Sequence, residues 1–253
     1  MYRDSSGQLI YSPSDLIRFM ESPFASFMER RYLETPELDA PDEADEELAL
    51  IADSGTEHEE KFLQRLKASG RDVCEITRGR DAASQTQQAI KAGREVIFQG
   101  YLTHGSFRGY TDFLVRTDEG TYEVWDTKLS RKVKPYFLIQ LCCYAEMLAS
   151  QQGTIPEHVT VVLGDNKSQK FRTSDYFYYY RQLKAAFQEH MDAFSLDAEP
   201  PVPDPRAHHG RWESHAQDWL MKRDHLVQVA GITAGQIGKL TAAGIETLAE
   251  LAE

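Results

Sequence analysis

The segment "YEVWDTK", residues 122–128, ends in an acid and an amine two positions apart. Its alternation predicts a strand in which Asp126 and Lys128 share one face with the apolar Tyr122 and Val124. Charges at the end of a buried strand are costly unless they are paired or put to chemical use. The two side chains are therefore expected to have either a charged partner or a role in a reaction.

A second acid is predicted directly across from the first. The "TDEGT" turn, centred on Glu119, sets an antiparallel register in which Asp112 faces Asp126. Two buried carboxylates repel each other, and the pair persists only with a shared proton or a cation between them. A divalent metal ion is the simplest such cation.

The residue types around this pair suit a hard metal ion. The predicted ligands are the carboxylates of Asp112 and Asp126, the backbone carbonyl of Thr127 and a nitrogen of His58. Lys128 would then hold or polarise a water and offset charge on a phosphoryl oxygen, which is the arrangement for metal-assisted phosphodiester hydrolysis. An isolated D-x-K also marks many ordinary strand ends, so the prediction depends on the elements that surround it.

Two helices and a run of strands precede or include this site. Apolar spacing predicts an opening helix over 12–34 and a second helix from Ser54, with a capping box to Glu57 and an end at Gly70. The second helix directs His58 and Glu59 inward. The β-branched and aromatic segment 95–130 predicts a strand meander.

The elements after the meander complete an α/β pattern. A helix begins at Pro135 and stacks Gln140 above Tyr144 one turn later. The run "VTVVLGD" is typical of a strand covered on both faces, and a further helix follows over 174–194. We therefore expect a central mixed β-sheet flanked by helices.

Charge is distributed unevenly along the 253 residues. The net charge is −12, but residues 34–60 hold 12 acids and no Lys or Arg, which leaves 28 acids and 28 bases elsewhere. The acidic run is most simply a solvated loop or helix face, with shielding of a channel or docking of a basic partner as alternatives. The segment "KLSRKVK" supplies Arg131, Lys132 and Lys134 just beyond the DTK strand, where they could contact a phosphate backbone, although a solvated loop is an equal interpretation.

Composition also limits the compartment and the class of protein. No apolar run is long enough to span a membrane and no secretory signal opens the chain, so we expect a soluble, cytoplasmic protein without a membrane partner. The three cysteines, at 74, 142 and 143, have neither disulfide-framework nor zinc-site spacing. No phosphate-loop motif is present, which argues against nucleotide hydrolysis by this chain.

Four motifs in order, "GTEHEE", "GYTDFL", "YEVWDTK" and "QLCCY", resemble the RecB-type branch of the PD-(D/E)xK nuclease superfamily over 12–192. The resemblance implies a restriction-endonuclease-like core, Mg²⁺ or Mn²⁺ as cofactor and DNA as substrate. It implies metal ligands at His58, Asp112 and Asp126, a catalytic Lys128, and Gln140 and Tyr144 orienting the lysine or the DNA strand. Glu59 is a weaker candidate for the helix ligand.

The chain is most similar to RecB-like nuclease domains that precede a superfamily 1 helicase, with one departure. Many relatives hold an iron–sulfur cluster through one cysteine in the first helix and three after the last core helix. Ser22 and the segment "AHHGRWESH" stand there instead, so no cluster is expected. A substituted metal site at His208, His209 and His215 is an alternative, but their spacing matches no common motif and we expect these loop histidines to be solvated. Three regions are predicted: a nuclease domain at 1–197, a Pro-rich linker at 198–217 and a helix-hairpin-helix-like module at 218–253, which is expected to continue into a longer polypeptide.

The sequence thus favours a divalent-metal-dependent deoxyribonuclease acting on single strands or free ends of DNA. We expect it to serve DNA repair or defence together with a superfamily 1 helicase in cis or in trans. The main alternative is a non-catalytic DNA- or protein-binding scaffold that retains the nuclease fold. A carboxylate-pair glycosidase is a second alternative, which would remain active in the presence of a chelator.

Overall fold

A computed structural model of the chain describes residues 1–37, 39–43 and 46–253, with the backbone alone described over 46–53. The strands are β1 (Tyr2–Arg3), β2 (Leu9–Ile10), β3 (Val73–Glu75), β4 (Val96–Phe98), β5 (Tyr101–His104), β6 (Phe107–Tyr110), β7 (Phe113–Arg116), β8 (Tyr122–Lys128), β9 (His158–Leu163) and β10 (Ser168–Arg172). The helices are α1 (Pro13–Glu21), α2 (Pro23–Glu34), α3 (Glu46–Ala68), α4 (Ala82–Lys91), α5 (Pro135–Gln152), α6 (Ser174–Asp192), α7 (Glu213–Lys222), α8 (Ala234–Ala242) and α9 (Leu248–Leu251). These elements form two compact units, one of Met1–Ile17 with Asp45–His190 and one of Arg18–Ala44 with Met191–Glu253.

The first unit is built on a six-stranded mixed sheet in the order β10-β9-β8-β7-β4-β3. Strand β8 lies centrally, antiparallel to β7 and parallel to β9. Helix α5 makes the crossover that a parallel pair requires. Strand β9 is buried along nearly its whole length, as its continuous apolar run predicted. The α/β fold class with a central mixed sheet is confirmed.

The hairpin register predicted for the DTK strand is confirmed. Phe113 pairs with Trp125, and Arg116 pairs with Tyr122. Thr117 and Thr121 close the turn through the N–H of Thr117, which donates to the carbonyl of Thr121 at 2.8 Å. Continued by one residue, the same register sets Asp112, just before β7, opposite Asp126.

The meander prediction was wrong for part of its length. Strands β5 and β6 leave the main sheet as a separate two-stranded hairpin, and β4 pairs with β7 instead of with β5. The backbone turns away at Gln99, whose φ of 55° is left-handed. Such a local conformation carries no clear signal in the period-two pattern that predicted the strands.

Two helix limits also differ from the predictions. The opening segment is divided into α1 and α2, because Ser22 is extended before Pro23 and caps α2 by accepting a hydrogen bond from the N–H of Ala25. Helix α3 begins at Glu46, so Ser54 lies inside the helix and does not cap it. Much of the predicted acidic run at 34–60 lies outside the described residues or side chains.

The second unit has its own apolar core. The core cluster consists of Phe24, Ala25, Phe27, Met28, Trp212 and Ala216, all buried. Glu29 accepts two hydrogen bonds from the guanidinium of Arg211, both at 2.7 Å, and one from the indole of Trp212 at 3.0 Å. The tail contains the two short helical segments predicted there, α8 and α9, each with a capping box.

The segment that was predicted to be a Pro-rich linker contributes to this core. Trp212 is 1% exposed, and α7 crosses the predicted limit at 217. His209 was expected to be solvated, and this was wrong: it is 3% exposed, and its Nδ1 lies 2.7 Å from the hydroxyl of Ser22. The predicted domain limits at 197 and 217 stay predictions.

Within the described part of the chain, no helix combines the length and apolar character that crossing a membrane requires.

Candidate active site

Asp126 and Lys128 lie at the carboxyl end of β8. Asp126 is 3% exposed, and its Oδ2 lies 2.7 Å from the Nζ of Lys128. The ammonium also lies 5.3 Å from the ring centre of Phe137 on the first turn of α5. The end of β8 therefore carries an ion pair that is largely shielded from solvent, and Lys128 is less deeply buried than Asp126.

Asp112 is held in place by the strand it faces. Its Oδ2 accepts a hydrogen bond from the N–H of Thr127 at 2.7 Å and one from the Thr127 hydroxyl at 2.8 Å. Its own backbone carbonyl accepts from the N–H of Gln99 at 2.9 Å. One carboxylate oxygen is thus committed to the protein, and Asp112 is fixed at both main chain and side chain.

The charges of this group perturb one another. Burial raises the pKa of Asp126 to about 7, with the nearby carboxylate of Asp112 adding to the rise and Lys128 opposing it. Burial alone would lower the pKa of Lys128, but the charges of Asp126 and Asp112 outweigh this and raise it. Lys128 is therefore an ammonium at neutral pH, whereas Asp126 takes up a proton more readily than an ordinary aspartate.

Helix α3 adds a third carboxylate. Burial and the charge of Asp112 raise the pKa of Glu59 to about 7, and Asp126 contributes to the rise. The side-chain amide of Gln99 donates a hydrogen bond to Glu59. The charge of Glu59, which the sequence ranked below His58 as the helix ligand, thus interacts with both aspartates, and the choice of ligand stays a prediction.

His58 occupies a different position on α3. It is 7% exposed, and its Nε2 has no hydrogen-bond partner among the described residues. It lines a cleft of about 680 Å³ together with Arg65 of the same helix, Leu129 beyond β8, and Gly164 and Asn166 beyond β9. A buried nitrogen without a partner is suited to a ligand that the chain itself does not provide.

Gln140 and Tyr144, one turn apart on α5, also belong to the site. The Tyr144 hydroxyl donates to the backbone carbonyl of Tyr110 at 2.7 Å. Burial, with the charges of Asp126 and Asp112, raises the pKa of Tyr144 well above its usual value, and Gln140 hydrogen-bonds to this tyrosine. Tyr144 thus stays neutral beside the aspartates. The Phe137 ring, also on α5, lies against the Lys128 ammonium.

The basic loop after β8 is exposed. Arg131, Lys132 and Lys134 all lie at the surface between β8 and α5. The Ser130 hydroxyl donates to the carbonyl of Lys132 at 2.7 Å, which orders the loop locally. The structure leaves these cations accessible to a ligand, and their role in binding DNA stays a prediction.

The donor types at the site fit Mg²⁺ or Mn²⁺. Both ions prefer carboxylate and carbonyl oxygens, which Asp112, Asp126, Glu59 and Thr127 can supply, and Mn²⁺ accepts an imidazole nitrogen. Among the described residues, no three His, Cys, Asp or Glu side chains are arranged to hold one ion together. An ion that keeps several waters and binds through one or two carboxylates plus substrate phosphate does not need such a closed cage.

Gln99 was missed by sequence reasoning. It fixes the main chain of Asp112 and the side chain of Glu59 at once. In the sequence it is one polar residue in "IFQGY", and nothing in its spacing distinguishes it from a turn residue.

Comparison with known proteins shows the family to which the chain belongs. A sequence profile of the PD-(D/E)XK nuclease superfamily matches residues 12–235, and the chain belongs to this superfamily. No curated protein shows significant sequence similarity to the chain. One solved structure, described as the crystal structure of SSO0001, is similar at 15% sequence identity and a TM-score of 0.33, covering 79% of this chain and 81% of that chain. Membership of the superfamily indicates metal-dependent nuclease activity.

Proposed function

We propose that the chain is a deoxyribonuclease of the RecB type that hydrolyses phosphodiester bonds with Mg²⁺ or Mn²⁺. The observation that carries the proposal is the buried Asp126–Lys128 pair at the end of β8, opposite an Asp112 that is held by Thr127. Asp126 and Asp112 repel each other beside one ammonium, and both also repel Glu59, so a divalent cation would stabilise this group.

The side chains of the chain have separate roles in this proposal. Asp112 and Asp126, with the Thr127 carbonyl, would hold the metal together with water and substrate phosphate, and Glu59 or His58 from α3 would join them only after a side-chain movement. The ion would supply Lewis acidity and a more acidic bound water. Lys128 stays protonated, so it acts as a hydrogen-bond donor to the attacking water or to a phosphoryl oxygen and does not act as a base. Gln140 and Tyr144 would orient the lysine or the DNA strand.

The substrate in this proposal is DNA, as single strands or free ends. The exposed cations Arg131, Lys132 and Lys134 would contact its phosphates close to the reacting bond. By resemblance to RecB-like domains, a superfamily 1 helicase in cis or in trans would supply unwound strands for repair or defence. The cytoplasmic location and the absence of an iron–sulfur cluster stay predictions.

Cleavage of labelled DNA tests the proposal. End-labelled single- and double-stranded DNA would be incubated with the chain in Mg²⁺, in Mn²⁺ and in excess chelator, and product lengths followed on a sequencing gel. We expect cleavage in both metals, at least as fast in Mn²⁺, and none in chelator. Cleavage that persists in chelator would contradict the proposal, and no cleavage in either metal would favour a non-catalytic scaffold.

A further inference from the structure

Gln99 has an unusual backbone and an unusual pair of neighbours. Its φ of 55° is left-handed, which is uncommon for a residue other than glycine. Its side chain lies between Glu59 and Arg78: it donates to Glu59, and its Oε1 lies 2.7 Å from Nη2 and 3.2 Å from Nε of Arg78. A strained backbone conformation is maintained where the surrounding contacts require it. Here the left-handed backbone places the Gln99 side chain where it makes these contacts.

The chemistry of the neighbours fixes the direction of the amide. An arginine can only donate hydrogen bonds and a carboxylate can only accept them. The oxygen of Gln99 must therefore face Arg78, and its nitrogen must face Glu59. The amide separates the guanidinium from the carboxylate, so Arg78 is not used up in a direct ion pair with Glu59.

Arg78 is fixed on two sides and open on another. Its guanidinium carbon lies 4.9 Å from the ring centre of Tyr110, and the Tyr110 hydroxyl accepts a hydrogen bond from the N–H of Gly79 at 3.1 Å. Tyr110 is tied in turn to Tyr144 through its backbone carbonyl. Two of the five N–H donors of Arg78 reach Gln99. The other three have no partner among the described residues, and the side chain is exposed.

We infer that Arg78 is a substrate-phosphate contact of the active site, which Gln99 and Tyr110 hold in position. A planar guanidinium that is held by its face and one edge presents the remaining edge as a fork for phosphate oxygens. Gln99 links this fork to Glu59 and, through its own N–H, to the main chain of Asp112. The inference deepens the proposed function and rests on it, because a nucleic-acid phosphate is taken as the ligand.

Binding without cleavage tests the inference. The full chain carrying Asp126→Asn would be titrated onto a fluorescein-labelled single-stranded oligonucleotide in chelator, and anisotropy followed at several NaCl concentrations. Adding Arg78→Ala should weaken binding about tenfold, the loss of one charge-assisted contact. It should also reduce the slope of log K against log salt by about 0.7, the release expected for one phosphate of a single strand. Arg78→Lys should restore the slope but only part of the affinity, because the fork is lost.

Two further variants separate this role from general charge and from folding. Arg80→Ala removes another exposed cation two residues along the same loop and should leave affinity and slope close to the parent values. Gln99→Gly removes the side-chain amide, and glycine tolerates the left-handed backbone at this position. This variant should therefore weaken binding without a matching loss of thermal stability.

An Arg78→Ala protein with the affinity and slope of its parent would overturn the inference, as would equal weakening by Arg80→Ala. The proposed function fails separately, when the wild type does not cut DNA in either metal.

Discussion

At the scale of single residues, burial decides what the acid and the amine of "YEVWDTK" can do. Asp126 is almost fully buried, and this burial raises its pKa to about 7, with the nearby carboxylate of Asp112 adding to the rise. Nearby negative charges raise the pKa of Lys128 by more than burial lowers it, so the side chain remains an ammonium. The strand end thus carries a fixed positive donor beside acids that need a further cation.

Removal of the ammonium should separate chemistry from metal binding. In Lys128→Ala the carboxylates remain, so Mn²⁺ should still bind, while DNA cleavage should fall by about 100-fold or more because a donor to the reacting group is lost. Cleavage rate and Mn²⁺ affinity by calorimetry are the two measurements. Lys167→Ala, which removes an exposed lysine from the β9–β10 turn, serves as the control and should change neither. Cleavage by Lys128→Ala at the wild-type rate would show that Lys128 has no catalytic role.

Residues differ in how far the sequence could predict them. The facing of Asp112 and Asp126 was predictable, since a two-residue period and a short turn fix the register. The role of Gln99 was not, because its contacts depend on a left-handed backbone and on Arg78, which lies 21 positions away in the chain. Which of His58 and Glu59 turns to the aspartates depends on how α3 packs, and the helical period alone allowed both.

At the scale of elements, the ends of β8 and β9 are held in close approach. Gly164 follows β9, and a Cβ added to it would lie 2.2 Å from the carbonyl oxygen of Leu129, which follows β8. The N–H of Gly164 also donates to the carbonyl of Ser130 at 3.1 Å. The position of the strand end that carries Asp126 and Lys128 therefore depends on a glycine here.

A methyl group at this position should push the two strand ends apart. Gly164→Ala should lower the free energy of unfolding by about 1–3 kcal/mol, the usual cost of overpacking, and should reduce DNA cleavage. Urea unfolding and the cleavage rate measure the two effects. Gly55→Ala adds the same methyl group to open space on α3 and should leave stability unchanged or slightly higher. Equal stability of the two variants would show that the strand ends can separate without loss.

The second unit depends on a buried carboxylate. Burial works against the charge of Glu29, but the hydrogen bonds from Arg211 and Trp212 and the charge of Arg18 outweigh it and lower the pKa below the ordinary 4.5. Stability from a lowered pKa is fully present above the unfolded pKa and is lost as the pH falls through the folded one. The contribution of Glu29 should therefore be constant at neutral pH and disappear in acid.

Neutralising this carboxylate should show that pH dependence. Glu29→Gln should lower the free energy of unfolding by about 2 kcal/mol at pH 7, the order expected for hydrogen bonds to a charged group. The difference from wild type should shrink below pH 4.5 as the native glutamate takes up its proton. Urea unfolding at a series of pH values measures this, with the exposed Glu21→Gln as a control of little effect. A difference that stays the same into acid would mean that the charge of Glu29 does not stabilise the unit.

The elements themselves were predicted better than their limits. The apolar patterns identified α5, α6, β8 and β9, because each is long or strongly periodic. The break at Ser22 depends on one extended residue before a proline, and the departure of β5 and β6 from the sheet depends on one left-handed residue. The core built around Trp212 could not be read from a Pro-rich segment, because its partners lie about 180 residues earlier in the chain.

At the scale of the whole molecule, a net charge of −12, if evenly spread, would oppose a nucleic-acid ligand. Residues 34–60 account for it, and the rest of the chain is electrically balanced. On our proposal, binding of DNA would depend on local cations, namely Arg78, which Gln99 links to Glu59, and the exposed loop that follows β8. The superfamily assignment and the mixed central sheet are compatible with a site at the end of β8, and that location stays a prediction.

The measurement that tests the account most directly compares cleavage and binding in Asp126→Asn. If Asp126 helps to hold the metal, this variant should lose DNA cleavage in both Mg²⁺ and Mn²⁺ yet bind DNA as tightly as wild type or more tightly, because a negative charge near phosphate has gone. The turn variant Asp118→Asn, which changes an exposed aspartate in the same way, should cleave normally. An Asp126→Asn protein that cleaves DNA at the wild-type rate would contradict the account and leave "YEVWDTK" as only the end of a strand.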